Sequence, residues 1–367
     1  EVVYLRENGN LSTGGSARDC TLEIHDSNKE IAIKAARIID LDVAGIDIVA
    51  DDISRPFSQQ DAAVIEVNAA PGLRMHLYPT EGQGRNVAAD ILDHLYPPGT
   101  PASIPIISIT GTNGKTTVTR MMQHILSLTG KKVAMTCSGG TFIGKDCIDR
   151  GDNTGPLSAK SILYNPDVEI AVLETARGGM IRKGLGYDLA DVGIITNISD
   201  DHLGLDAIDT LEDLAFVKSL VIEALKPNGY AVLNADDQLT EMIMGRVKCK
   251  LILFSKDRLN PLLASHINNG RIAVVCENQG IYIYENNARK FLVEVDQIPI
   301  TFNGKAVFNI ENSLAVIAGL LALNIDDNVI RIGLRSFMPD MYFNAGRLNL
   351  FNMGGFKVLM DYGHNLS

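Results

Sequence analysis

At 367 residues the chain has room for two or three domains. Its 46% hydrophobic and 21% charged residues are those of an ordinary globular protein, no apolar run reaches the ~18 residues of a membrane span, and a net charge of -11 excludes a general nucleic-acid binder. Phosphate ligands stay open, because local backbone amides and a lysine suffice to hold them. The five cysteines (Cys20, Cys137, Cys147, Cys249, Cys276) are scattered and form no CxxC or Cys/His pair. Neither a zinc site nor a disulfide framework is expected, and a reducing cytoplasm fits. The start, EVVYLRENGN, lacks the basic-then-apolar order of a signal peptide. The chain opens on Glu1 without a Met and stops at Ser367 just after an apolar run, which reads as a fragment of a longer protein.

Residues 43–49 and 62–67 are extended apolar runs. Residues 85–96 then carry Val87, Ile91, Leu92 and Leu95 at helical spacing. Tyr96-Pro97-Pro98-Gly99-Thr100-Pro101 marks a boundary. Beyond it, residues 104–110 read as a buried strand and 116–128 as a helix. Strands at 169–173, 192–196, 231–234 and 251–254 follow, with a helix at 211–225 between them. That alternation predicts an α/β domain with a mainly parallel sheet. From 271 to 295 the pattern becomes two short alternating runs around Glu285-Asn286-Asn287, which suggests a hairpin insertion. A helix at 310–323 comes next, and residues 344–361 open a further α/β domain. The expected domains are therefore 1–97, 98–340 and 341–367.

The sharpest local signal is Thr110-Gly111-Thr112-Asn113-Gly114-Lys115-Thr116-Thr117, set between a predicted strand and a predicted helix. Glycines permit close backbone approach to phosphates, and amides at a helix N-terminus point at an anion. Lys115 is expected on the β/γ-phosphate oxygens and the Thr116 hydroxyl on Mg²⁺, with Gly111, Thr112, Asn113, Gly114 and Thr117 completing the ATP cradle. The loop departs from the commoner G-x-x-x-x-G-K-[ST] form, because Ile109 stands six residues before Lys115.

This GTNGKTT loop after an apolar strand resembles the Mur ligase superfamily, which includes muramyl-peptide ligases and folylpolyglutamate synthetases. The resemblance runs from about Ile104 to Ser367 and implies further roles. Glu174 in VLETARGGM would bind the catalytic magnesium, and His202 in Thr196-Asn197-Ile198-Ser199-Asp200-Asp201-His202 a second metal. Lys218 matches a lysine that many members carbamylate to bridge metals; protonated and paired with Glu174 or Asp213, it would only be structural. Asn309, in an N-x-x-N helix start with Asn312, resembles the adenine contact region, although Phe308 replaces the family's usual His. Arg347 and Asp361 match residues reaching phosphate and ribose. The implied catalytic set is Lys115, Glu174, His202, Lys218 and Arg347. The implied chemistry is γ-phosphoryl transfer to a carboxylate, then attack of an amine on the acyl phosphate.

Residues 1–95 are not Mur-like. Asp47 in Gly45-Ile46-Asp47-Ile48, and Glu66 and Asn68 in Ile65-Glu66-Val67-Asn68-Ala69-Ala70-Pro71-Gly72, would offer hard oxygen ligands to Mg²⁺. E-x-N-x-x-P-G resembles the closing end of an ATP-grasp fold, whose nucleotide-clamping half lies outside this chain; strand alternation alone would make Glu66 and Asn68 merely outward-facing. An ATP-grasp end joined to a Mur-type domain, with Asn10-Leu11-Ser12-Thr13-Gly14-Gly15 near the start, resembles a family of two-site peptide-polymer ligases. That resemblance implies aspartate addition at the ATP-grasp site, arginine addition at the Mur-type site, a peptide-polymer primer, and a homo-oligomer. It implies no membrane or nucleic-acid partner. A ligase of other amino acids or dipeptides is the alternative within enzymes. A non-catalytic nucleotide-binding module would have lost Lys115 or the metal ligands, and neither is lost.

Overall fold

Why the sheet forms where it does is visible in its central strand, Ile106–Thr110, in which every residue is buried. A continuous apolar run of that kind suits a parallel strand covered on both faces. The computed structural model describes residues 15–100, 103–200, 204–206 and 208–363. The chain divides into two units, 1–102 and 103–367.

In the first unit, helix α1 (Asp26–Ile38) precedes strands β1 (Gly45–Ala50) and β2 (Ala62–Asn68), followed by the short α2 (Arg74–Leu77) and by α3 (Val87–Leu95). β1 and β2 pair antiparallel, with Asp47 opposite Glu66 and Gly45 opposite Asn68. Asn28 of α1, fully buried, binds the 53–57 loop, donating to Ile53 O and Arg55 O and accepting from Phe57 N.

The second unit begins with β3 (Ile106–Thr110), α4 (Lys115–Ser127) and the strands β4 (Val133–Cys137), β5 (Gly140–Ile143) and β6 (Asp146–Arg150). Next come α5 (Pro156–Leu163), β7 (Ile170–Glu174), α6 (Arg177–Lys183), β8 (Ala190–Ile195), α7 (Leu211–Glu223) and β9 (Leu225–Asn234). α8 (Thr240–Met244), β10 (Lys250–Ser255), α9 (Pro261–Asn268), β11 (Ala273–Glu277), β12 (Gly280–Glu285) and β13 (Ala288–Glu294) continue the chain. It closes with α10 (Val307–Ala322), α11 (Asp327–Ser336), β14 (Asn349–Asn352) and β15 (Lys357–Met360).

The main sheet runs in the order β13-β12-β11-β10-β9-β8-β3-β7-β4-β5-β6. From β11 to β4 neighbouring strands are parallel; antiparallel hairpins extend both edges. Alternate residues of each strand feed opposite faces. Ile107, Ile109, Val172 and Ile194 join one core beneath α4, α10 and α11, whereas Ile106, Leu173 and Ile195 join the other beneath α5, α7 and α9. α10 is buried along most of its length because its sequence is apolar nearly all round. The largest core side chains include Phe254 on β10, fully buried. Phe254→Ala is expected to lower unfolding free energy by about 3–5 kcal/mol, read from chemical denaturation.

The expected hairpin is present as β12 and β13, and it continues the main sheet beyond β11, which pairs parallel with β10. After α11, β14 and β15 form their own antiparallel ladder. The five cysteines are unbridged, and no described helix is long and apolar enough to cross a membrane.

Candidate active site

The turn from β3 into α4 is built on two glycines in backbone conformations that other residues rarely adopt. Gly111 has φ +152°, and a Cβ there would lie 1.9 Å from Thr196 Oγ1; Gly114 has φ +82°, with its Cβ 2.1 Å from Asn312 Oδ1. The segment following β8 then braces the loop. Thr112 N donates to Asn197 O (2.8 Å), Asn113 N to Asn197 Oδ1 (2.8 Å), and Thr196 Oγ1 to Asn113 O (2.5 Å). The Thr112 hydroxyl donates to Ser199 O at 3.1 Å and accepts from Ser199 N at 3.0 Å. Thr196 and Asn197 therefore hold the loop's shape.

α4 starts at Lys115, so its first amides face the loop. Lys115 Nζ donates to Gly111 O (3.1 Å) and Thr112 O (2.8 Å). Thr116 Oγ1 donates to Glu174 Oε1 at 3.1 Å and lies 3.0 Å from Ser138 Oγ, while Ser138 N donates to Glu174 Oε2 at 3.0 Å. Glu174, at the carboxyl end of β7, is 3% exposed. Burial pushes its carboxyl above the usual carboxylate range, against the pull of the Lys115 charge, the Ser138 amide, the Thr116 hydroxyl and the Arg347 charge. Arg347 arrives from after α11, its Nη2 3.5 Å from Thr116 Oγ1 and its guanidinium over the Tyr362 ring at 5.0 Å. A buried carboxylate beside a serine and a threonine hydroxyl is an oxygen-rich donor set that suits a hard divalent cation.

These groups border a cleft of about 210 Å³, lined also by Thr117, Phe308, Asn309, Asn344 and Asp361. Asn309 borders it, but its Nδ2 donates to Ile300 O (2.8 Å) and its Oδ1 accepts from Asn312 (3.0 Å), so both ends of its amide brace the start of α10. Half-exposed Phe308 presents the aromatic surface there. Asp361 accepts from the amides of Leu348 (2.9 Å) and Gly363 (3.1 Å).

Lys218 on α7 is 4% exposed, with Nζ 3.5 Å from Thr112 Oγ1. Burial raises the Asp237 carboxyl, opposed by the Leu239 and Ile198 amides and by the Lys218 charge. Asp213 is engaged in the capping box with Thr210 at the start of α7. His202 lies outside the described residues, as does the 10–14 part of the N-terminal motif. Among the described residues no cluster of three or more His, Cys, Asp or Glu could hold a metal. In the first unit, cross-strand pairing puts Asp47 opposite Glu66, and Asn68 two residues on shares that face. Like charges directly opposite each other on a ladder repel unless a cation intervenes.

Ser138, Asn344 and Arg120 were not among the expected residues. Ser138 follows an apolar strand at its carboxyl end, where α/β sheets put ligands, and that position could have marked it.

The family described as the Mur ligase middle domain matches residues 109–320, and the RimK-like ATP-grasp domain matches residues 6–95. The cyanophycin synthetase of Synechocystis sp. is 48% identical over 365 residues, which is 100% of this chain and 42% of that protein. The chain thus spans about two-fifths of the length of that relative. Among solved structures, UDP-N-acetylmuramoyl-L-alanyl-D-glutamate--2,6-diaminopimelate ligase aligns with TM-score 0.54 at 19% identity, over 80% of this chain and 55% of its own. A bifunctional folylpolyglutamate synthase/dihydrofolate synthase, solved with Mn, AMPPNP and L-glutamate bound, aligns with TM-score 0.51 at 18% identity, over 72% of this chain and 63% of its own. Both likenesses speak to the fold alone.

Proposed function

The chain belongs to the Mur ligase family, and from that membership we propose that it works as an ATP-dependent amide ligase building cyanophycin, an aspartate-backbone polymer carrying arginine. Aspartate is added at the ATP-grasp unit and arginine at the Mur-type unit, each through an acyl phosphate. The observation that carries this reading is the convergence of Lys115, Thr116, Glu174 and Arg347 at the mouth of a glycine-built loop. The 48% identity along the whole chain supports the choice of polymer.

In this reading the amides at the start of α4 and Lys115 would hold the nucleotide phosphates. Thr116 and Glu174, with the Ser138 hydroxyl nearby, would hold Mg²⁺, whose chemistry there would be to offset charge on phosphoryl oxygens. Arg347, whose guanidinium reaches Thr116 in the same cleft, would offset charge on the transferring group. Holding carboxylate and phosphoryl group in line replaces an encounter in solution by a fixed geometry. ADP release that needs both an amino acid and a primer peptide tests the proposal; ADP release without either would sink it.

Lys218 is read as a carbamate that, together with His202, would help hold a second Mg²⁺. A buried ammonium would repel that ion, and a carbamate turns the same side chain into an oxygen ligand. Lys218→Ala is expected to cut arginine addition by about 10²-fold, with part of the rate restored by a short-chain carboxylic acid. Failure of the acid to rescue, together with insensitivity to bicarbonate, would defeat the carbamate and leave the rest standing.

A further inference from the structure

Arg120 lies one turn beyond Thr116 on α4, and it is only 8% exposed. Among the described residues no carboxylate pairs with it. A buried guanidinium without a counter-charge is unfavourable unless its N–H groups are used. One N–H is used on the loop that carries Arg347, and the other arm packs against the turn after β4. Nη1 donates to Ala345 O at 3.2 Å, two residues before Arg347. Nη2 lies against Gly139, where a Cβ would come within 2.4 Å of it, in the turn whose Ser138 amide holds Glu174.

The segment that carries Arg347 is otherwise folded upon itself. Asn349, fully buried, accepts from Gly346 N (2.7 Å) and donates to Asn344 O (2.9 Å), and Arg347 N donates to Asn344 O (3.1 Å). Two neighbouring residues tie this folded loop to α4: Asn344 donates to Thr117 Oγ1 (3.3 Å), and Ala345 accepts from Arg120. The register of the loop on α4 decides whether Arg347 reaches Thr116.

We propose that Arg120 is a positioning residue, which fixes the 344–349 loop on α4 so that Arg347 stands over Thr116. This rests on the reading of Arg347 as a charge-offsetting group in phosphoryl transfer. Arg120 touches neither nucleotide nor acceptor; it acts through Arg347.

The test uses the full-length protein with Arg120→Met, Arg120→Lys and Gly139→Ala. Gly139→Ala crowds the guanidinium without removing it, and so guards against a folding defect specific to losing Arg120. Hydrogen exchange of amides 344–349 is expected to quicken by at least about tenfold in Arg120→Met and Gly139→Ala, and less in Arg120→Lys. kcat for arginine addition should fall by about 10²-fold in Arg120→Met, as a misplacement of about 1 Å can do. KM for ATP should stay near its original value, because an interaction made in the transition state is lost. Added to Arg347→Met, Arg120→Met should cost nothing more. Unchanged exchange in both Arg120→Met and Gly139→Ala, or losses that multiply in the double variant, would overturn the proposal. Activity retained by Lys115→Ala would overturn the functional reading instead, and exchange would then decide the loop's anchoring by itself.

Discussion

Replacing Lys115 by alanine is expected to abolish arginine addition, by about 10³-fold or more, while single aspartate additions persist. The side chain opens α4, and its ammonium sits inside the loop, bonded to Gly111 O and Thr112 O. Phosphate oxygens are stronger acceptors for that ammonium than peptide carbonyls, since the bonds become charge-assisted on both sides. Alanine removes the one cation of the loop itself at the point where negative charge concentrates during transfer. Nothing in the hydrophobic cores depends on it, so thermal stability should change little. Because the two additions alternate, each must be measured as one labelled residue joined to a primer poised for that step. Arginine incorporation surviving in Lys115→Ala would remove the assignment of the Mur-type site.

The reciprocal result is expected of Glu66→Gln combined with Asn68→Ala. Aspartate addition should fall by about 10²-fold or more, the loss of several kcal/mol of metal-borne charge stabilisation, with arginine addition intact. Asp47 and Glu66 face each other across the β1–β2 ladder, both exposed, with Asn68 on the same side. A pair of outward carboxylates with no ligand would merely repel, so relieving it should raise thermal stability slightly in a chelator. With magnesium and nucleotide present the sign should reverse, because the ligands are then gone. Persistent aspartate incorporation would return Glu66 and Asn68 to the role of ordinary strand-face residues.

What could be read from the chain follows from which interactions are local. The strand–loop–helix at 106–127 was legible because glycine spacing, an apolar run and a lysine are all near neighbours in sequence. Glu174 was named from the family resemblance, and it stands at the carboxyl end of β7. Ser138 also follows a strand end, but its contact with Glu174 was not legible, because it depends on β4 lying beside β7, a pairing fixed by packing. Arg120 looks like any outward charge on a helix until the loop after α11 covers it. Asn309 was assigned to the nucleotide by resemblance; it borders the cleft, with part of its amide engaged by Ile300 and Asn312. The alternation in 281–293 correctly announced a hairpin but could not say that it would dock on β11. α1 was not named although Ile31, Ala35 and Ile38 stand at helical spacing, and along it only Asn28 is buried.

The bracing of the phosphate loop by Thr196, Asn197 and Ser199 has a consequence for selectivity. A cradle fastened through its Thr112 and Asn113 amides to the segment after β8 loses its conformational freedom during folding, so binding an anion at the remaining amides carries little further ordering entropy. Rigidity of that kind also removes tolerance. An anion whose oxygens do not match the fixed spacing of the amides cannot be accommodated by adjustment, and it leaves donors unpaired. The loop therefore acts as a template that rejects by misfit, and its discrimination among phosphorylated compounds is set before any of them arrives.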